Sequence, residues 1–308
     1  MKRNILNIIA IIFFFQLISF GQKKEVDTIR LFYLGGQSNM DGYGYNSDLP
    51  DSLNKQFSNV WIFHGNPVGD NEQDGGLGKW ELLKPGHGTG FSSDGNSNSL
   101  SKRFGIELSF AKRLQELYPN EKIAIIKYSR NGSSIDSLAA SHFGSWEPDF
   151  KGGKGINQYD NFLATIRNAM SAADIDGDGI KDKLIPSGII WMQGESDACF
   201  GEEVAGKYYA NLKRLMDLIR ASFRTKKLPV VIGKISDSGN AKNGKVWDYG
   251  ELIQFAQEKF CRTDGNASII RDTKNYKYSD PWHYVSAGYI DLGRKFAEAV
   301  YRLDNKRN

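Results

Sequence analysis

Ser38 stands in the run Gly35-Gly36-Gln37-Ser38-Asn39-Met40, directly after the apolar stretch Ile29 to Leu34. An apolar run that ends in a glycine turn puts this hydroxyl at the carboxyl end of a strand, where a nucleophile meets a ligand. Near the carboxyl terminus, Asp280-Pro281-Trp282-His283 sets a carboxylate three residues before an imidazole, so Asp280 can reach Nδ1 of His283 within one turn. Acyl transfer needs a hydroxyl, a base to take its proton, a group to orient the base, and donors for the oxyanion. Ser38 would attack, His283 would take the proton and return it to the leaving alcohol, and Asp280 would hold the imidazole. Taken alone, the same turn could do no more than cap the helix that follows, whose predicted N-cap is Ser286.

Two further segments supply donors. Ser129-Arg130-Asn131-Gly132-Ser133-Ser134 and Trp191-Met192-Gln193-Gly194-Glu195-Ser196-Asp197 each follow an apolar run. Backbone N–H groups at Ser38 and Gly132 would face the oxyanion, and a glycine lets substrate approach the main chain closely. Gln193 adds a neutral side-chain donor, better suited to developing negative charge than a carboxylate. Glu195 and Asp197 are expected to tie loops together by hydrogen bonds.

These segments must be held by a sheet. Ile29 to Leu34, Ile123 to Tyr128, Gly188 to Met192, Val230 to Ile235 and Ala267 to Ile270 read as five strands. Helical spacing joins Ile106, Phe110, Leu114 and Leu117, then Phe162, Ile166, Ala169 and Ala173, then Val204, Tyr208, Leu212, Leu215 and Ile219. It recurs in Leu252, Ala256 and Phe260, and in Ile290, Phe296, Ala297 and Val300. Strands apolar on both faces and separated by helices predict a central parallel five-stranded sheet between two helix layers. Ligands bind beyond the carboxyl ends of such strands, where every segment named above falls. Two long polar segments, 41 to 104 and 136 to 158, carry Trp61, Trp80, His64 and His87, and His142 and Trp146. Their tryptophans are expected either to form a sugar-binding rim or to pin the loops to the body.

Gly-Gln-Ser-Asn-Met, Asn-Gly-Ser-Ser-Ile, Trp-Met-Gln-Gly-Glu-Ser-Asp and Asp-Pro-Trp-His, in this order, resemble the sialic acid-specific acetylesterase and acetylxylan esterase family, carbohydrate esterase family 6, a branch of the SGNH hydrolases. The likeness runs from about residue 28 to 300. It implies a three-layer α/β/α flavodoxin-like fold, metal-independent removal of acetyl groups from sugar hydroxyls, and a triad of Ser38, Asp280 and His283. Two departures from the wider superfamily stand out. Gly36-Gln37-Ser38 replaces Gly-Asp-Ser, and Gly194-Glu195-Ser196-Asp197 replaces Gly-x-Asn-Asp. Ser196 thus stands where the superfamily has its oxyanion asparagine, and the resemblance passes the side-chain donor role to Gln193.

The chain opens Met1-Lys2-Arg3-Asn4 and runs almost without charge from Ile5 to Phe20 before Gly21 and a charged stretch from Lys23. This pattern predicts a signal peptide over residues 1–21 and an esterase domain over 22–308, secreted or periplasmic, with no stable membrane insertion after cleavage. Of 40 Lys and Arg, Lys2 and Arg3 fall in the leader, which leaves 38 against 36 acidic residues. A nearly neutral protein without a basic stripe is no nucleic-acid binder. About 285 remaining residues suffice for one large α/β domain. Two cysteines, Cys199 and Cys261, permit one disulfide and build no framework.

One loop speaks for an ion. Asp174, Asp176, Asp178 and Asp182 occupy positions 1, 3, 5 and 9 of a calcium-type loop with Gly179 at position 6. Position 12 is Ile185, so the bidentate glutamate of an EF-hand is missing and a structural calcium would draw on a distant ligand. No cofactor is expected for catalysis. The expected partner is an acetylated carbohydrate, an acetylated xylan-type glycan or an O-acetyl sialic acid. A catalytically inactive carbohydrate-binding relative and a lipase or thioesterase on the same scaffold are the competing classes.

Overall fold

A computed structural model describes residues 26–68, 72–151 and 155–306. The predicted leader lies outside the described residues. Among those described, no helix is long and apolar enough to cross a membrane.

The centre of the molecule is a strand buried on both faces. In β1 (Asp27–Gly36), Ile29, Leu31, Phe32, Tyr33 and Leu34 are all fully or almost fully buried. Consecutive strand residues point to opposite faces, and the partners of Phe32 and Tyr33 identify the two helix layers. Phe32 meets Phe110 edge to face, and Phe110 lies in α2 (Glu107–Leu117). Tyr33 meets Phe162 of α3 (Gln158–Ser171) and Phe223, just beyond α5 (Glu202–Ser222). α7 (Ser286–Asn305) packs with α2, and α6 (Gly250–Thr263) packs with α5. Burying each such aromatic stabilises the fold by roughly 1.5–3 kcal/mol.

β1 pairs in parallel with β4 (Lys122–Ser129) on one side and β5 (Asp182–Met192) on the other. Beyond β5 lie β6 (Val230–Gly233) and β7 (Ala267–Ile270), both parallel. These five are the predicted strands, and their order, β4-β1-β5-β6-β7, is the flavodoxin-like one. The sheet is larger than the predicted five, however. β2 (Val60–His64) extends it in parallel beside β4, and β3 (Glu81–Leu82) closes that edge antiparallel, giving seven strands in the order β7-β6-β5-β1-β4-β2-β3. β2 was hidden inside a polar segment, and a two-residue strand carries no periodicity to read.

Two other expectations shift. The buried face of α6 is Ile253, Ala256 and Phe260, while Leu252 is 40% exposed. Ser286 is the first residue of α7 and does not cap it; its hydroxyl donates to Asp48 and accepts from the amide of Tyr45. Both cysteines are free, Cys199 exposed and Cys261 in α6, so the permitted disulfide is not formed.

Candidate active site

In this strand order the topology reverses between β1 and β5, and a crevice opens beyond their carboxyl ends. Ser38 begins α1 (Ser38–Asp41) immediately after β1. Glycine is required just before it: Gly36 has φ +145°, and a Cβ there would sit 2.0 Å from the carbonyl oxygen of Met192 in β5. That close approach is what lets the chain turn the serine out of the sheet. Below α1, the side chain of Lys127 on β4, wholly buried, donates to the carbonyls of Asp41 and His87 and to Glu107 at 2.8, 2.7 and 2.9 Å. A lysine inside an apolar strand thereby fixes the end of α1.

His283 is brought to the same crevice by its own turn. Its Nδ1 lies 2.8 Å from Asp280 Oδ2, while Asp280 Oδ1 accepts the amides of Trp282 and His283, each at 2.8 Å. One carboxylate thus both closes the turn and orients the ring. Burial pushes the Asp280 carboxyl up, but the hydrogen bonds from His283 and the two amides outweigh it and hold it below its usual range. For His283, burial wins over the attraction of Asp280 and lowers the imidazole below its ordinary value. The neutral imidazole, the form able to accept a proton, is therefore favoured near neutrality.

Asn39, next to Ser38 and almost wholly buried, joins the pieces. Its Nδ2 donates to Glu195 Oε1 at 2.9 Å and to the carbonyl of Trp282 at 3.1 Å, and its Oδ1 accepts from the Tyr289 hydroxyl. Ser38 and His283 both line the crevice, which encloses about 520 Å³, together with Tyr43, Gly132 and Trp282. No direct hydrogen bond joins Ser38 Oγ to the imidazole among the described residues, a contact that commonly tightens only when substrate is bound. Of the four histidines, His283 alone lines this crevice. His64 and His87 are buried, the first stacked on Phe91 and the second tilted against it, and burial, with the neighbouring Lys127, lowers both.

The amides of Ser38 and Gly132 donate to no main-chain carbonyl among the described residues, which leaves them free for an oxyanion. Gly132 has φ +65°, and any Cβ there would lie 2.3 Å from the Phe143 ring. Gln193 departs from expectation. It is fully buried, its Nε2 donates to Ser133 O at 3.1 Å and to Asp197 Oδ2 at 2.6 Å, and its Oε1 accepts from Tyr208. With both N–H groups engaged it has none to offer a substrate, and it does not line the crevice. Asp197, in α4 (Glu195–Phe200), also accepts the amides of Ile135 and Asp136, so Gln193 and Asp197 fasten the Gly132 loop to β5. Burial raises the Asp197 carboxyl to about 6 and that of Glu195 to about 7.

The tryptophans of the two long segments are pinning residues. Trp61 and Trp146 are buried, and Trp80 donates to the carbonyl of Ala169. The aromatic walls of the crevice come instead from Trp282 and Phe200, each at least half exposed, with Phe143 and Trp247. Sequence reasoning also missed Tyr43, whose ring lies parallel to the His283 imidazole, and Asn131, which donates to the Tyr43 hydroxyl and to Thr89. An aromatic five residues beyond Ser38 was the available signal for Tyr43.

At the other end of β5, one oxygen from each of Asp174, Asp176 and Asp182 lies within 4.8 Å of the others, and Asp27, Asp176 and Asp178 form a second such group.

A profile of the family described as carbohydrate esterase, sialic acid-specific acetylesterase, matches residues 28–302. No curated protein sequence matches the chain. Among solved structures, a protein from Arabidopsis thaliana is similar at 18% identity with TM-score 0.60, over 89% of this chain and 98% of that one. A carbohydrate acetylesterase from Xanthomonas citri is similar at 16% identity with TM-score 0.59, over 90% of this chain and 57% of its own. NanS is similar at 15% identity with TM-score 0.58, over 91% and 99%. At these identities the structural likeness is one of fold.

Proposed function

Because the chain belongs to the sialic acid-specific acetylesterase family of carbohydrate esterases, and is thus a carboxylic ester hydrolase, we propose that it removes O-acetyl groups from a glycan by covalent catalysis at Ser38. The observation that carries this reading is the 2.8 Å contact between His283 Nδ1 and Asp280 in the crevice that also holds Ser38 and Gly132. His283 Nε2 takes the Ser38 proton as Oγ attacks the acetyl carbonyl. The amides of Ser38 and Gly132 receive the oxyanion. Collapse breaks the bond to the sugar oxygen, which His283 protonates so that it leaves as the alcohol; water, deprotonated by His283, then attacks the acetyl-enzyme and releases acetate as the proton returns to Ser38. No metal takes part in these steps.

The glycan is drawn from acetylated xylan-type polymers or O-acetyl sialic acids, and Trp282 and Phe200 offer faces on which a sugar ring can stack. Export, proposed from the leader pattern of residues 1–21, would place the enzyme where such glycans are met. The apolar walls also favour a second reading, a lipase or thioesterase. An acyl-length series of nitrophenyl esters, followed by a panel of acetylated glycans, separates them. Acetate is expected to be the best acyl group and to be released from at least one glycan, with Ser38→Ala inactive and folded. Preference for octanoate with no acetate released from any glycan, or a Ser38→Ala variant keeping more than about a tenth of kcat, would refute the proposal.

A further inference from the structure

Asp182 opens β5 and is buried, 8% of the residue being exposed. One of its oxygens, Oδ2, accepts the amide of Ile175 at 2.6 Å; the other, Oδ1, is buried with no hydrogen-bond partner. A carboxylate oxygen hidden from water is normally satisfied. One oxygen of the Asp182 carboxylate lies within 4.8 Å of an oxygen of Asp174 and of one of Asp176. From this orphaned oxygen and the three carboxylates gathered around one point, we infer that the 174–182 loop binds a calcium ion through Asp174, Asp176, Asp178 and Asp182.

The dimensions suit the ion. Oxygens that share a calcium at about 2.3–2.6 Å lie no more than about 5 Å apart, and the Asp174, Asp176 and Asp182 oxygens are within 4.8 Å of one another. The loop is already wound: Asp174 accepts the amides of Gly177 and Gly179 at 2.6 and 2.8 Å, and Asp182 donates its own amide to the carbonyl of Ala173. Loop position 7, which supplies a backbone carbonyl in calcium loops of this spacing, is Ile180. Asp182 at position 9 provides the buried carboxylate that Ile185 at position 12 cannot.

The donor set selects the metal. All ligands are oxygens on a short glycine-bearing loop, which suits the flexible, high coordination number of calcium; zinc favours nitrogen and sulfur, and magnesium keeps most of its water. Lys122 reaches into the same region, with its ammonium on both Asp27 and Asp176. One ammonium among five carboxylates leaves the cluster strongly negative, and Asp27 remains to hold Lys122 when Asp176 turns to the ion. The loop joins α3 to the amino end of β5, and the catalytic crevice lies beyond the carboxyl end of that strand. Eleven strand residues separate the two by roughly 35 Å, so the ion acts on stability and not on chemistry.

The test uses the full chain stripped with EDTA and titrated calorimetrically with calcium chloride, alongside thermal melts. One site per chain is expected, with a melting temperature several degrees higher at 5 mM calcium, as mass action on the native state requires, and an unchanged kcat on nitrophenyl acetate where both forms are folded. Asp182→Asn and the exposed Asp178→Asn should each weaken calcium binding at least tenfold. Asp178→Asn should melt like the parent in EDTA, which keeps the test valid if Asp182→Asn folds poorly. No binding at millimolar calcium, an equal rise in melting temperature with magnesium, or undiminished affinity in Asp178→Asn would overturn the site.

Discussion

The ring of Tyr43 lies face to face with the imidazole of His283, with centroids 3.5 Å apart and planes 4° from parallel. Asp280 fixes one edge of the imidazole, and Tyr43 covers one face, so the ring can neither tip nor swing out of the crevice. Tyr43 is itself held, its hydroxyl accepting from Asn131 at 2.8 Å. The stack is therefore a positioning contact for the imidazole, and it should be separable from the hydroxyl. Tyr43→Leu is expected to lower kcat by about tenfold to a hundredfold, whereas Tyr43→Phe should retain most of it, because positional losses of this kind follow small misplacements. Equal losses in the two variants would assign the effect to the hydroxyl and not to the stack.

The acid limb of the rate profile should lie low. Burial depresses His283 more than Asp280 raises it, and the base works only when neutral. Activity, read as kcat/KM, should therefore rise with pH through an inflexion below about 6.5 and stay level above it. Asp280→Asn removes the raising contact and should shift the inflexion further down while cutting kcat by roughly 10²–10⁴. An inflexion above pH 7 in the parent would show that some other group supplies the base.

Gln193→Ala tests whether that amide fastens loops or touches the reacting atoms. Its loss leaves Ser133 O and Asp197 each short of a donor inside the protein, while the Tyr208 hydroxyl keeps the backbone carbonyl of residue 193. A destabilisation of about 2–4 kcal/mol is expected, with the kcat of the folded fraction within about tenfold of the parent. A hundredfold fall in kcat without loss of stability would instead restore Gln193 as the oxyanion donor.

Stability should decline as pH rises from about 4.5 through about 7. The Glu195 carboxyl is raised by burial from 4.5 to about 7, against which the hydrogen bond from Asn39 works. A carboxyl raised in the folded state contributes stability that is complete below about 4.5 and is lost as pH climbs through about 7, on the order of 3 kcal/mol in all. Glu195→Gln, which can still accept from Asn39, should flatten the dependence of the melting temperature between pH 5 and 8. A variant with the parent's slope would trace the effect to another group, Asp197 first.

The pairing of Asp280 with His283 was legible because three residues of chain suffice to form it, and a local turn is encoded locally. The five central strands were legible for a similar reason: burial on both faces writes an uninterrupted apolar run, as in Ile123 to Tyr128. β2 escaped because its neighbours in sequence are polar and its apolar partners, in β4, are far along the chain. The tryptophans illustrate the same limit. Residue type marks Trp61, Trp80 and Trp146 as able to stack on sugar or to pack inward, and the inward choice, buried for Trp61 and Trp146 and hydrogen-bonded for Trp80, was decided by what the rest of the fold set beside them.

The sequence by itself determined the parallel α/β framework, the placement of Ser38 and Gly132 at strand ends, and the self-orienting Asp280–His283 turn, since each depends on periodicity or on a few adjacent residues. Only the tertiary structure decided that Gln193 spends its donors on Ser133 and Asp197 and that Asn39, beside Ser38, is tied to Glu195 and Trp282. It also decided that Tyr43 covers His283. A hydrogen-bond donor can be counted from its residue type, but whether it is free depends on which atoms from distant segments the packed core brings within reach.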